Sequence, residues 1–186
     1  MDDLRAMDLA GRELERRLAG LPADRMDEPS SLPGWSVFDL VNHVIGGGHR
    51  YLLLLRGATA EELAATRTED HVGPDPLSSY LEWQLPLAAA FAEPGALDRV
   101  VHHPAGDRSG LELLRMRTLE LALHGWDLAR SLHHDDPLDE ELCAHLAERA
   151  TATVDGLRTR GLYGPPGDDD PALPAQVHLL RRTGRA

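Results

Sequence analysis

Apolar residues return at three- and four-residue steps or their sums over the first twenty positions, at Leu4, Met7, Leu14, Leu18 and Leu21. Such spacing keeps side chains on one face of a helix. Residues 2–21 are therefore expected to be helical, with Arg12, Glu13, Glu15, Arg16 and Arg17 mostly on the wet side and Gly20 and Pro22 at the end. A loop should follow over 27–34. Ser36 with Asp39 predicts a capping box opening a helix from Val37 to about Leu55, with Trp35 as an apolar staple before the cap. Gly46, Gly47 and Gly48 lie inside it, at about 1 kcal/mol each relative to alanine, which points to a close helix approach or a kink. Thr59 and Glu62 predict a short helix, and residues 66–76 a loop. Asp75 and Pro76 open a helix towards Phe91, with a kink expected at Pro86. Residues 98–109 read as irregular, with a short extended piece at 100–102. Ser109 caps a long helix from Gly110 to about Leu132. Asp139 caps another to about Arg160, and a last short helix covers Ala175 to Arg182. No strand and no fixed-period repeat is expected. Four long helices plus shorter ones predict an all-α bundle, a single domain over 1–186.

Composition narrows the function classes. The chain has 186 residues, enough for one domain with a real core. Hydrophobic residues are 42%, yet no run approaches the roughly eighteen residues of a membrane span. The N-terminus is acidic, unlike a signal peptide, so a cytoplasmic protein is expected. The net charge is −12, with 31 acids against 19 bases, and no basic face marks a nucleic-acid binder. Every base is arginine. Cys143 stands alone, excludes an internal disulfide, and reads as an inert helix residue.

The chemistry concentrates in one segment. Arg117, Glu120, His124 and Asp127 are spaced three, four and three apart, so they share one helical stripe. A Glu and a His one turn apart can grip an ion that accepts carboxylate oxygen and imidazole nitrogen. Such pairs also arise by chance on surface helices, and two ligands do not hold a metal. His43, in the apolar middle of the second helix, is the best third candidate, although a lone core histidine is more often structural. Three ligands leave coordination open for water or substrate. Asp127 could orient His124. Arg117 could pair with Asp127 or Glu120, or meet an anionic substrate. The pairs His102-His103 and His133-His134 are expected to face solvent, and His49 a different part of the helix. The acidic run 168–170 reads as a solvated loop without a calcium pattern.

At these residues the chain resembles a family. The stretch Pro33-Gly-Trp35-Ser-Val-Phe-Asp39-Leu-Val-Asn-His43-Val-Ile-Gly-Gly and the pattern Arg117-Thr-Leu-Glu120-Leu-Ala-Leu-His124-Gly-Trp126-Asp127 resemble metal-binding proteins related to mycothiol-dependent maleylpyruvate isomerase, in the DinB/YfiT-like superfamily. Tyr163-Gly-Pro165 and Leu179 to Arg185 also resemble the ends of actinobacterial members. The resemblance implies a DinB/YfiT-like four-helix bundle with additional short helices. It implies a divalent metal held by His43, Glu120 and His124, zinc first, with nickel or iron(II) as alternatives. It also implies thiol chemistry with mycothiol as cosubstrate. The isomerase carries a further C-terminal domain for which 186 residues leave no room, which argues against maleylpyruvate itself as substrate.

The leading expectation is thus a metal-dependent thiol transferase or isomerase acting on a small molecule, with Asp127 and Arg117 as catalytic or orienting groups. A metal-water hydrolase or lyase and a non-catalytic metal- or ligand-binding module are the alternatives. No nucleic-acid or membrane partner is expected, and the oligomeric state stays open, a homodimer included.

Overall fold

Each long helix begins where a side chain can take up amide hydrogens that the helix itself leaves free. In the computed structural model, which describes residues 1–104, 106–159, 161, 163–165, 167 and 172–185, Asp2 accepts from the Arg5 amide at 2.8 Å and opens α1 (Asp3–Ala19). Ser36 and Asp39 form the expected reciprocal box at the start of α2 (Val37–Leu55), as Thr59 and Glu62 do for α3 (Ala60–Ala65). Asp75 caps α4 (Pro76–Phe91), which continues on both sides of Pro86. Ser109 and Glu112 box the start of α5 (Gly110–Ser131). After Asp139 come α6 (Glu140–Arg149), α7 (Thr151–Arg158) and α8 (Ala175–Arg182).

The helices α1, α2, α4 and α5 pack as a four-helix bundle, with α1 and α2 each against both α4 and α5. The core lies between them and includes Ala10, Leu14, Leu40, Val44, Leu87, Leu114, Leu121 and Leu128. Outside it, α6 packs against α8. No helix among the described residues is long and apolar enough to cross a membrane.

Two sequence expectations are corrected. No paired strand was expected, yet the extended piece foreseen at 100–102 supplies Val100–Val101 (β1), which pairs antiparallel with Arg108–Ser109 (β2), Val100 opposite Ser109. Two-residue strands are too short to show alternation. The pairing follows from the chain folding back onto the start of α5, where Gly110 donates to the Arg99 carbonyl and Leu111 to that of Leu97, both at 2.8 Å. The helix expected from Asp139 to about Arg160 is interrupted at buried Ala150, where φ is −101° and ψ 5°. Thr151, Thr153 and Val154 are β-branched helix formers of low propensity, and the Thr151 hydroxyl donates to the Ala147 carbonyl at 2.7 Å, a contact that bends helices. Arg160 and the acidic run 168–170 lie outside the described residues.

The triple glycine proves to be a close approach. A Cβ on Gly46 would stand 2.4 Å from the His71 ring, and one on Gly47 2.7 Å from an Arg117 guanidinium nitrogen and 2.9 Å from Glu120. Gly47→Ala gains about 1 kcal/mol of helix propensity but overpacks a buried ion pair, at about 1–3 kcal/mol. Overpacking should win, and Gly47→Ala should melt below the parent. Gly156 in α7 has nothing within 4 Å of its missing Cβ, so Gly156→Ala should melt above it. Thermal melts of the two variants check the opposite signs.

Candidate metal centre

The site is built across the interface of α2 and α5. Glu120 and His124 stand one turn apart on α5 and face His43 from α2. One potential ligand atom from each residue lies within 4.8 Å of the others. His43 Nε2 is 3.2 Å from Glu120 Oε1. The His43 and His124 rings meet edge to face, with centroids 5.0 Å apart. Trp35, just before the α2 cap, lies edge-on to His43 at 5.1 Å and stacked towards His124 at 6.5 Å. Ligand atoms about 2.0–2.1 Å from a tetrahedral ion stand about 3.3 Å apart. The His43–Glu120 spacing fits that without rearrangement.

Each member has its own orienting partner. Arg117 is fully buried. One guanidinium nitrogen donates to Glu120 Oε2 at 2.7 Å and to the Val44 carbonyl at 3.0 Å, and the other to Gln84 Oε1 at 3.3 Å. Glu120 Oε1 is left to the site. Of the partners considered for Arg117, the structure therefore provides Glu120, and its burial turns it away from any substrate. Burial alone would raise the Glu120 carboxyl, but the His43 hydrogen bond and the Arg117 charge outweigh it and hold the carboxyl far below the usual range.

His124 Nδ1 lies 3.0 Å from Asp127 Oδ2. Burial would raise the Asp127 carboxyl, but hydrogen bonds from His124 and Arg185 outweigh it, and the group stays ionised. An ionised carboxylate only accepts, so Nδ1 carries the hydrogen and Nε2 keeps the lone pair that a metal needs. Burial, partly opposed by the Asp127 hydrogen bond, also lowers the His124 pKa and favours the neutral ring. The carboxylate of Asp127 is gripped in turn by Arg185, from Nε to Oδ1 and from Nη2 to Oδ2, both at 2.9 Å. Sequence spacing could not find Arg185, which follows the last helix with no periodic relation to α5.

A cavity of about 810 Å³ opens in front of His43, Glu120 and His124. Trp35, Leu54, Leu63 and Leu157 give it an apolar wall, and Arg50 and Arg67 bring positive charge beside the ion-paired Arg185. His103, expected to face solvent, is half-buried and lines it too. His102, His133 and His134 are exposed, as expected. Cys143 is buried, and burial pushes its thiol up to about 12, which leaves it unreactive.

A second convergence escaped the sequence reading. His49, Glu69 and His71 also bring potential ligand atoms within 4.8 Å of one another. Here His71 Nε2 is 2.9 Å from the Thr66 carbonyl, its amide donates to Asn42, and its ring covers Gly46. His49 stacks on Trp83 at 3.9 Å. These contacts make His71 a tie between the 66–73 loop and α2. A histidine in an irregular loop gives no periodic signal.

The family model of the mycothiol maleylpyruvate isomerase N-terminal domain matches residues 7–129. That span contains His43, Arg117, Glu120, His124 and Asp127 and stops short of Arg185. Two uncharacterized proteins of Mycobacterium tuberculosis, one from each of two strains, are 30% identical over 172 residues, covering 92% of this chain and 89% of theirs. Crystal structures of the mycothiol-dependent maleylpyruvate isomerase and of a histidine-to-alanine mutant of it align with a TM-score of 0.61 at 22% identity, over 80% of this chain and 68% of theirs. At that identity the likeness is one of fold.

Proposed function

The chain belongs to the mycothiol maleylpyruvate isomerase N-terminal domain family, with a DinB-like helical fold, and from that premise we propose that it binds one divalent metal ion through His43, Glu120 and His124 and acts with a thiol cosubstrate on a small molecule. The observation that carries this reading is the convergence of two imidazoles and a carboxylate at metal-ligand spacing, facing a cavity. The donor set is the nitrogen and oxygen type that zinc accepts, and nickel or iron(II) accept it too. Mycothiol is the thiol proposed, on the strength of the family.

A bound divalent ion supplies a Lewis acid that favours the ionised form of a thiol. The chain's own residues do the rest. Arg117 balances the Glu120 charge from the buried side and keeps one carboxylate oxygen turned to the cavity. Asp127 fixes which His124 nitrogen bears hydrogen. Arg50 and Arg67 favour an anionic group in the cavity, and the wall of Trp35, Leu54 and Leu157 shields it from water. A cavity of this size suits a small molecule, which supports a substrate-binding role over a purely structural metal.

Cobalt(II) gives the test a direct signal, because a thiolate bound to it produces a charge-transfer band in the near ultraviolet. The cobalt-substituted protein should develop this band with mycothiol at lower concentration than with 2-mercaptoethanol. Absence of the band at saturating mycothiol, with cobalt bound, would remove the thiol and leave a metal-water hydrolase or lyase or a non-catalytic metal- or ligand-binding module.

A further inference from the structure

We propose that the C-terminal segment, residues 175–185, is energetically coupled to the metal centre through Arg185. Cation binding then tightens the segment, and the docked segment raises cation affinity. The inference rests on the proposed metal site and adds to it a part that lies beyond the span matched by the family model.

The coupling runs through Asp127, whose side chain is only 1% exposed. Its Oδ2 serves two donors, His124 Nδ1 at 3.0 Å and Arg185 Nη2 at 2.9 Å, while Oδ1 takes Arg185 Nε at 2.9 Å. A guanidinium that meets both oxygens fixes the plane of the carboxylate, which a single donor cannot do. The plane decides where the acceptor lone pair points, and so holds the His124 ring. The main chain of Asp127 is fixed separately, because its carbonyl accepts from Ser31 and Ser131 hydroxyls at 2.9 and 2.7 Å. Losing Arg185 would therefore free the carboxylate without releasing the helix.

Arg185 can do this only while its segment is docked. Its backbone amide donates to the Leu180 carbonyl at 2.9 Å, and its guanidinium lies 5.7 Å from the Tyr163 ring centre. Gln176 accepts from the Leu138 amide at 2.7 Å, Glu140 accepts from the Ala175 amide, and Gly184 passes so close to Gly164 that a Cβ there would stand 3.0 Å away. These contacts hold α8 against α6 and the tail, and the Arg185–Asp127 pair links them to α5. A cation on the far nitrogen of His124 makes Nδ1–H a stronger donor to Asp127, which favours the arrangement that Arg185 holds. Linkage is reciprocal, so whatever Arg185 adds to cation affinity, the cation adds to docking.

Two measurements on the full-length protein test this. Zinc affinity by chelator competition should weaken about 10-fold in Arg185→Ala, the low end of the roughly 10–100-fold for losing a partner that orients a ligand directly, because Arg185 acts through Asp127. Arg185→Lys, which keeps charge but not the fork, should recover only part. Adding Arg185→Ala to Asp127→Asn should cost nothing further. Amide hydrogen exchange over 175–185 should slow on zinc binding in the parent and not in Arg185→Ala. Zinc bound by Arg185→Ala within twofold of the parent, or additive losses with Asp127→Asn, would overturn the coupling alone. Failure of the parent to bind zinc would overturn the metal reading and the coupling with it.

Discussion

His124→Ala is expected to abolish stoichiometric metal binding, while His134→Ala leaves it intact. His124 contributes a neutral imidazole whose tautomer is set by Asp127 and whose ring meets His43. Without it two donors remain, too few for a tight site, so the loss should exceed the roughly 10–100-fold that an orienting partner is worth. His134 is exposed and stands after the end of α5. The measurement is elemental analysis of the purified, untagged protein and both variants, with a triple variant of His43, Glu120 and His124 to Ala as the baseline. About one equivalent in the parent and in His134→Ala, and none in His124→Ala, is the expected result. Equal retention in both single variants would remove the triad. A thermal melt of each variant separates a lost ligand from a lost fold.

Arg117→Met should produce the largest loss of stability of any single substitution at the site. Arg117 is fully buried, and it alone of the described arginines faces Glu120 at 2.7 Å. Methionine fills much of the volume but leaves Glu120, Gln84 and the Val44 carbonyl without their donor. Breaking a buried ion pair from one side costs about 3–5 kcal/mol. For a chain of this size that corresponds to a fall in Tm of roughly 6–20 °C. Arg117→Lys keeps the charge without the planar fork and should recover only part. Urea unfolding of the three proteins gives the values, and a loss below about 1 kcal/mol would mean that the pair is not the buried anchor described.

Much of the fold was legible because its signals are local. The caps at Ser36, Thr59 and Ser109 marked three helix starts, since a cap needs only neighbouring residues. Gly46 to Gly48 announced a close approach without saying to what, and the answer, Arg117, Glu120, His71 and Trp83, comes from distant segments. The extended piece at 100–102 was foreseen but its pairing was missed, too short to carry a pattern, and so was the break at Ala150, a competition between hydroxyl and backbone inside a periodic stretch.

The site divides in the same way. Residues 117, 120, 124 and 127 are bound to share a stripe by the helix itself, so the sequence alone determined that Glu120, His124 and Asp127 lie on one face of α5. His43 could be named from its apolar setting only as a candidate, which the family pattern then supported, because nothing local aims a histidine of one helix at a carboxylate of another. Tertiary packing decided that His43 meets Glu120, that Arg117 belongs to Glu120, and that Asp127 is held by Arg185 from 58 residues away. Helix geometry repeats within a turn and is written in neighbouring residues. Contacts between helices depend on how whole faces pack, and no spacing along the chain encodes that.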